Sequence, residues 1–195
     1  MFLHKSKLVL GVEKIPFIGV IPFMENFAMD MGGASGTLGI EEQARNFYGK
    51  NVTFASLICY ESIYGDWVAE FVRNGAQILF IITNDGWWRD TPGYRQHFQF
   101  ARLRAVETRR SIARSANTGS SGFINQRGDV LQKSEYGVQL AMREQLNLNS
   151  ELTPYVIHGD LLGRISWLAA ILIMILAAVK FLRTFGKVTP YGGRG

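Results

Sequence analysis

Cysteine is almost absent from this chain of 195 residues, in which Cys59 is the one thiol. A single cysteine excludes any intrachain disulfide, so oxidative stapling does not hold this fold together and the redox compartment stays open on that ground. Histidine is nearly as scarce, and none of His4, His97 and His158 stands in a motif that ties it to Cys59. That argues against a papain-like cysteine–histidine arrangement. The N-terminal residues 1–14 contain no uninterrupted apolar core and no clear cleavage site, which excludes a cleavable signal peptide. Internal repeats and low-complexity tracts are also missing.

The length allows one domain with a sizeable core. Charge is moderate, with 21 Lys and Arg against 16 Asp and Glu and a net charge of +5. Six arginines, Arg95, Arg102, Arg104, Arg109, Arg110 and Arg114, crowd one stretch; Lys180, Arg183, Lys187 and Arg194 crowd the C-terminus. Glu107 lies three residues from both Arg104 and Arg110, the spacing of paired charges on a helix surface. A nucleic-acid partner would call for aromatics interleaved on an exposed sheet or for a recognition helix, and neither is evident.

One segment changes the class of the protein. Residues 165–179 carry no charge and only Ser166 is polar. With Lys180 snorkelling, residues 165–182 reach the lower end of the roughly 17–25 needed to span a bilayer. A buried core helix would not have Trp167 as an interfacial anchor at one end and Lys180, Arg183 and Lys187, without an acid, at the other. The spacing therefore predicts a transmembrane helix over 165–182, a juxtamembrane connection over 158–164 and a basic tail over 183–195. The positive-inside rule puts that tail in the cytoplasm and the preceding domain, 1–157, outside it. Such a topology needs a segment upstream of Met1.

Along the domain, residues 1–40 hold short apolar pieces broken by Pro16, Pro22, Gly32, Gly33 and Gly36, and read as extended segments and loops. Residues 52–58 read as a strand. Residues 64–74 place Trp67, Val68, Phe71 and Val72 at helical spacing until Gly75 ends the turn. Residues 77–83 are almost continuously apolar, the mark of a central strand covered on both faces. Strand, helix, strand predicts a right-handed crossover in an α/β fold. Residues 94–113 lack Gly and Pro and read as a helix with Phe98, Ala101, Ala105 and Ile112 towards the core. Short strands follow at 115–118, 121–125 and 130–131. The Arg127-Gly128-Asp129 tripeptide has the form of an adhesion signal, but a glycine between two strand-like runs is explained by hairpin geometry.

Cys59 stands where the apolar run ends in Tyr60-Glu61-Ser62, the place of a nucleophile at the end of a strand. A lone cysteine is more often a small buried hydrophobe. To act, a thiol that ordinarily titrates at about 8.5 needs a base or a cation. Lysine with glutamate supplies both, the carboxylate taking the proton and the ammonium steadying thiolate and oxyanion.

Three motifs stand in order: Lys5-Ser-Lys-Leu-Val-Leu-Gly-Val-Glu13, Leu57-Ile-Cys-Tyr-Glu61 and Thr83-Asn-Asp-Gly-Trp-Trp88. The pattern continues through Gln96-His-Phe-Gln-Phe-Ala-Arg-Leu-Arg-Ala-Val-Glu107 and Arg114-Ser-Ala-Asn-Thr-Gly-Ser-Ser-Gly122. It resembles the nitrilase superfamily of carbon–nitrogen hydrolases and, with the C-terminal membrane helix, the apolipoprotein N-acyltransferase family within it. The likeness covers roughly residues 5–183.

The resemblance implies the second half of a four-layer α-β-β-α sandwich followed by one transmembrane helix. It makes Cys59 the nucleophile and Lys5 the lysine of a Glu-Lys-Cys triad, with Lys7 the competing candidate. Glu13 and Glu61 become accessory carboxylates, and the Tyr60 backbone N–H joins the lysine in an oxyanion hole. Trp87 and Trp88 line the acyl or lipid-entry region, unless they simply pack in their loop. The family continues its Leu-Val pair with proline and Phe-Gly-Glu, whereas Leu10 and Gly11-Val12-Glu13 stand here. No residue matches the superfamily's general-base glutamate, which lies on a strand well before the lysine. The implied reaction moves an acyl chain from a membrane phospholipid, through a cysteine thioester, to the α-amine of a diacylated apolipoprotein, with no metal or organic cofactor, at a bacterial inner membrane. A membrane-tethered amidohydrolase and a non-catalytic lipid- or partner-binding fragment are the other readings.

Overall fold

The computed structural model describes residues 4–9 and 41–185. Glu13, the apolar pieces between residues 10 and 40, and the basic tail from residue 186 onward lie outside the described residues. The chain divides into two compact units, residues 1–159 and 160–195.

Among the described residues of the first unit, six strands form one mixed sheet in sequence order: β1 (Phe47–Tyr48), β2 (Thr53–Ile58), β3 (Ile78–Thr83), β4 (Ser111–Ala116), β5 (Gly122–Ile124) and β6 (Val130–Lys133). β2, β3 and β4 run parallel, and antiparallel partners flank them. Helix α1 (Gly65–Arg73) crosses from β2 to β3 and buries Trp67, Val68, Phe71 and Val72, the face its spacing foretells. It stops before Gly75, whose φ of +97° suits a residue without Cβ. The Arg127-Gly128-Asp129 tripeptide closes on itself in the turn before β6, with Gly128 at φ +84° and the Arg127 guanidinium 2.9 Å from Asp129.

Two expectations are corrected here. Helix α2 covers Pro92–Thr108 and not the whole of 94–113. It starts on Thr91, whose hydroxyl accepts from the Gly93 amide, and ends at Arg109, which enters the left-handed region at φ +51° in place of a glycine. Phe98, Ala101 and Ala105 are buried as the period required, but Ile112 reaches the core from β4, which pairs with β3 along its full length. Nor do the arginines form one helix surface. Arg104 pairs with Glu107 at 3.1 Å, yet Arg104, Arg110 and Arg114 are all buried. The Arg110 guanidinium, pulled down to about 10 by burial, donates to the carbonyls of Ala76, Thr108 and Glu151.

β3 is central in the sheet, between β2 and β4, and its two faces differ among the described residues. Leu79 and Ile81 are wholly buried on the side of α1 and α2, whereas Ile82 is 57% exposed. Side chains alternate along a strand, so Phe80 and Ile82 share the opposite face with Phe54 of β2 and Phe123 of β5. Among the described residues that face carries only the extended segment around Leu140, Met142 and Leu148, which leaves an apolar groove of about 780 Å³. Among the described residues the apolar run of β3 is therefore closely packed on one face and only partly covered on the other.

Helix α3 (Pro154–His158) ends at Gly159, at φ +72°. The second unit holds α4 (Leu161–Phe185), which begins four residues before the expected span because Asp160 accepts from the Gly163 amide and caps it. Residues Leu161–Thr184 contain an 18-residue window with a mean hydropathy of 2.4, long and apolar enough to cross a membrane.

Candidate active site

The carboxyl ends of the three parallel strands supply the site, as open α/β sheets generally do. β2 ends at Ile58, and Cys59 opens a tight 3₁₀ turn, Cys59–Ile63. Its φ is +53°, a left-handed conformation on a residue with a Cβ. That costs roughly 1–2 kcal/mol and persists only where neighbouring contacts fix it. The thiol is half-buried, within reach of a substrate. The first amides of a helical turn have no partners inside it, and Tyr60 follows Cys59 directly in this one. The Tyr60 ring packs edge-on against Tyr64 with centroids 5.9 Å apart.

Glu61 is buried beneath this turn at 1% exposure. One carboxylate oxygen accepts from the Ile58 amide at 2.7 Å and the other from the Ser6 amide at 2.5 Å, so this side chain fastens the lysine-bearing segment to the nucleophile's turn. Burial raises its pKa above the ordinary 4.5, against the pull of the Ile58, Ser6 and Lys7 amides and the Lys5 charge. Lys5 thus stands within electrostatic reach of Glu61. Lys7, the competing candidate, lies over the Trp67 ring at 4.8 Å from its centroid. The structure brings Cys59, Tyr60, Glu61 and the Lys5 segment together.

Glu61→Gln is expected to break this link, because an amide presents N–H where one of the two backbone amides must donate. The loss is about 1–2 kcal/mol in urea unfolding, accompanied by at least a tenfold fall in whatever acylation rate Cys59 shows. The pH response has a definite sign. With the folded-state value above 4.5, the folded protein takes up this proton before the unfolded chain does, so wild type gains stability from Glu61 as pH falls through that window and the glutamine variant does not.

The sequence reading set His97 aside, yet the structure brings it to the site. Asp85, two residues beyond the end of β3, accepts from His97 Nδ1 at 2.8 Å and from the Thr83 hydroxyl at 2.9 Å, and pairs with Arg114 of β4 at 2.5 Å. All three charged or ionisable groups are at most 4% exposed. Burial opposes ionisation of Asp85, but the bond from His97 and the charge of Arg114 prevail and hold its carboxyl below the ordinary value. Burial likewise pulls Arg114 down, while Asp85 and the nearby Cys59 push it back. The short contact and the direction of the Asp85 shift make this an ionised pair. A signal for it was present: an acid at the end of an apolar strand and an arginine two residues beyond Ile112, on the helix-covered side of β4.

The Trp88 ring packs edge-on against His97, centroids 5.2 Å apart, so it serves as a wall of this network. Trp87 shares the 3₁₀ turn Asp85–Trp88, and its side chain lies outside what is described. Among the described residues no group of three His, Cys, Asp or Glu is placed to hold a metal ion.

The family model described as carbon-nitrogen hydrolase matches residues 21–147. Apolipoprotein N-acyltransferase of Chlorobaculum tepidum is 36% identical over 181 residues, covering 91% of this chain and 34% of that protein. The protein of the same name from Thermotoga maritima is 30% identical over 189 residues, covering 93% and 35%. The chain therefore spans about a third of the length of these curated relatives. Among solved structures, Saccharomyces cerevisiae Nit3, of branch 10 of the nitrilase superfamily, aligns with 54% of this chain and 41% of its own, at 21% identity and a TM-score of 0.47.

Proposed function

Because this chain belongs to the carbon–nitrogen hydrolase family, we propose that it is the nucleophile-bearing part of an apolipoprotein N-acyltransferase. The observation that carries the reading is Cys59, left-handed at the end of a parallel strand, with Glu61 binding the Lys5 segment to its turn. In the first half-reaction the Cys59 thiolate attacks an ester carbonyl of a phospholipid. The tetrahedral oxyanion is held by Lys5 and the Tyr60 N–H, and its collapse breaks the C–O bond and releases a lysophospholipid that takes up the proton. In the second, the α-amine of a diacylated apolipoprotein attacks the thioester. The C–S bond breaks, an amide forms, and the amine's proton passes through the base back to the sulfur. A thioester conserves the acyl group's activation and still yields readily to an amine.

This reading also gives the open face of β2, β3 and β5 a partner: the second sheet of a four-layer α-β-β-α sandwich, bearing the general-base glutamate. Trp87 and Trp88 then border the acyl entry. Helix α4 crosses the bacterial inner membrane, with the catalytic domain outside and the basic tail in the cytoplasm. Glu13 is the second accessory carboxylate.

The test incubates the complete gene product with phospholipid labelled in its acyl chains and a diacylated N-terminal cysteine peptide. The expected result is label bound to Cys59, released by neutral hydroxylamine and transferred to the peptide amine. Free fatty acid without N-acylated peptide would identify a hydrolase instead, and absence of any thioester overturns the reading.

A further inference from the structure

Asp85, His97 and Arg114 have no part in the chemistry just described, although they form a deeply buried polar cluster at the strand ends. His97 reaches in from α2 and is gripped on one ring edge. Asp85 lies 2.8 Å from Nδ1, and a carboxylate can only accept, so Nδ1 carries a proton and the ring plane is fixed. Asp85 is fixed in turn by Thr83 and Arg114. Arg114 is anchored by donating from Nε to the Ser120 carbonyl and packs against Phe98.

The other ring edge meets the backbone of the nucleophile itself. Nε2 stands 3.1 Å from the Ser62 hydroxyl and 3.3 Å from the Cys59 carbonyl oxygen, and the same hydroxyl lies 2.9 Å from that carbonyl. A carbonyl only accepts and the Ser62 hydroxyl gives its own proton to it, so in this arrangement Nε2 also carries a proton and donates to the Cys59 carbonyl and the Ser62 oxygen; a ring protonated on both nitrogens has no lone pair with which to act as a base on the thiol. A continuous run of contacts from β4 through β3 and α2 ends on Cys59, whose left-handed backbone needs to be held.

We propose that His97, oriented by Asp85 and Arg114, is a positioning residue that acts with Ser62 on the Cys59 carbonyl to hold the nucleophile's backbone in its left-handed conformation. The proposal rests on the reading of Cys59 as the acyl carrier. It makes the spacing from Asp85 to His97 a requirement of acyl transfer, because a nucleophile displaced by about an ångström loses roughly a hundredfold in rate.

Single-turnover acylation of the complete gene product tests it, using vesicles of equal phosphatidylethanolamine and phosphatidylglycerol with labelled palmitoyl chains. His97→Leu is expected to lower the limiting rate about a hundredfold without changing the donor concentration that gives half that rate. His97→Gln, whose amide reaches the Nε2 position, is expected to recover at least about a tenth of the wild-type rate. A wild-type limiting rate in His97→Leu, an effect confined to half-saturation, or equal loss in the leucine and glutamine variants overturns the proposal. Should His97→Leu fail to fold, Ser62→Ala decides, and an unchanged limiting rate there overturns it. Should wild type form no thioester, the acyl-carrier reading is what fails. Iodoacetamide alkylation located on Cys59 then decides the positioning role: at least a tenfold change of rate in folded His97→Leu supports it, and an unchanged rate overturns it.

Discussion

Replacing Cys59 by alanine is expected to abolish thioester formation and acyl transfer together, by at least about 10⁴-fold, while replacing it by glycine gives an equally inactive protein that is the more stable of the two. Activity is lost in both because no other thiol in the chain can carry the acyl group. Stability separates them because φ at this position is +53°. Alanine retains the Cβ that crowds the left-handed region, and glycine does not. The difference should be about 1 kcal/mol in favour of glycine, reduced somewhat by glycine's greater freedom in the unfolded chain. Urea unfolding of the two variants measures it. An alanine variant as stable as the glycine variant would show that the turn carries no backbone strain, and retained acylation in either would remove Cys59 from the reaction.

Asp85→Ala is expected to destabilise the fold by about 3–5 kcal/mol, a large part of the 5–15 kcal/mol that domains commonly possess. The cost is not the worth of the Asp85–Arg114 pair itself. It arises because the guanidinium, wholly buried and 2.5 Å from the Asp85 carboxylate, would lose that compensating charge. Removing the charge as well, in Asp85→Ala with Arg114→Met, is therefore expected to restore much of the loss, and a double-mutant cycle reads the coupling. Strict additivity would overturn the account. The acid response follows the same pair. Asp85 is held below its ordinary 3.8, so the folded protein binds this proton less tightly than the unfolded chain. The stability it contributes is complete above about pH 4 and is lost as pH falls through the folded-state value. Glu61 runs the opposite way in its own window, so acid unfolding of wild type and of each variant separates the two carboxylates.

How legible each element was depended on how local its cause was. Helix α1 was readable because Trp67, Val68, Phe71 and Val72 share one face and Gly75 ends it, all within eleven residues. The end of α2 was not, since Arg109 takes a conformation usually left to glycine and Ser111 to Ala116 become a strand only by pairing with β3. The apolar run of β3 carried no mark of which face would meet α1 and α2. Among the site residues, Cys59 was conspicuous as a single thiol at a strand end, and Glu61 followed it closely. His97 lies 38 residues from Cys59 in sequence, and their contact depends on how α2 packs on the sheet.

The sequence by itself determined the parallel α/β core, the apolar C-terminal helix and the identity of the thiol, because period, composition and scarcity are local properties of a chain. Only the tertiary structure decided that Lys7 lies over Trp67, that Glu61 holds the Lys5 segment, and that Arg114, Asp85 and His97 converge on the Cys59 carbonyl. Those are meetings of residues from separate strands and a helix. Burial makes each of them costly to leave unpaired, and the sheet's register, fixed by long-range hydrogen bonds, brings them together.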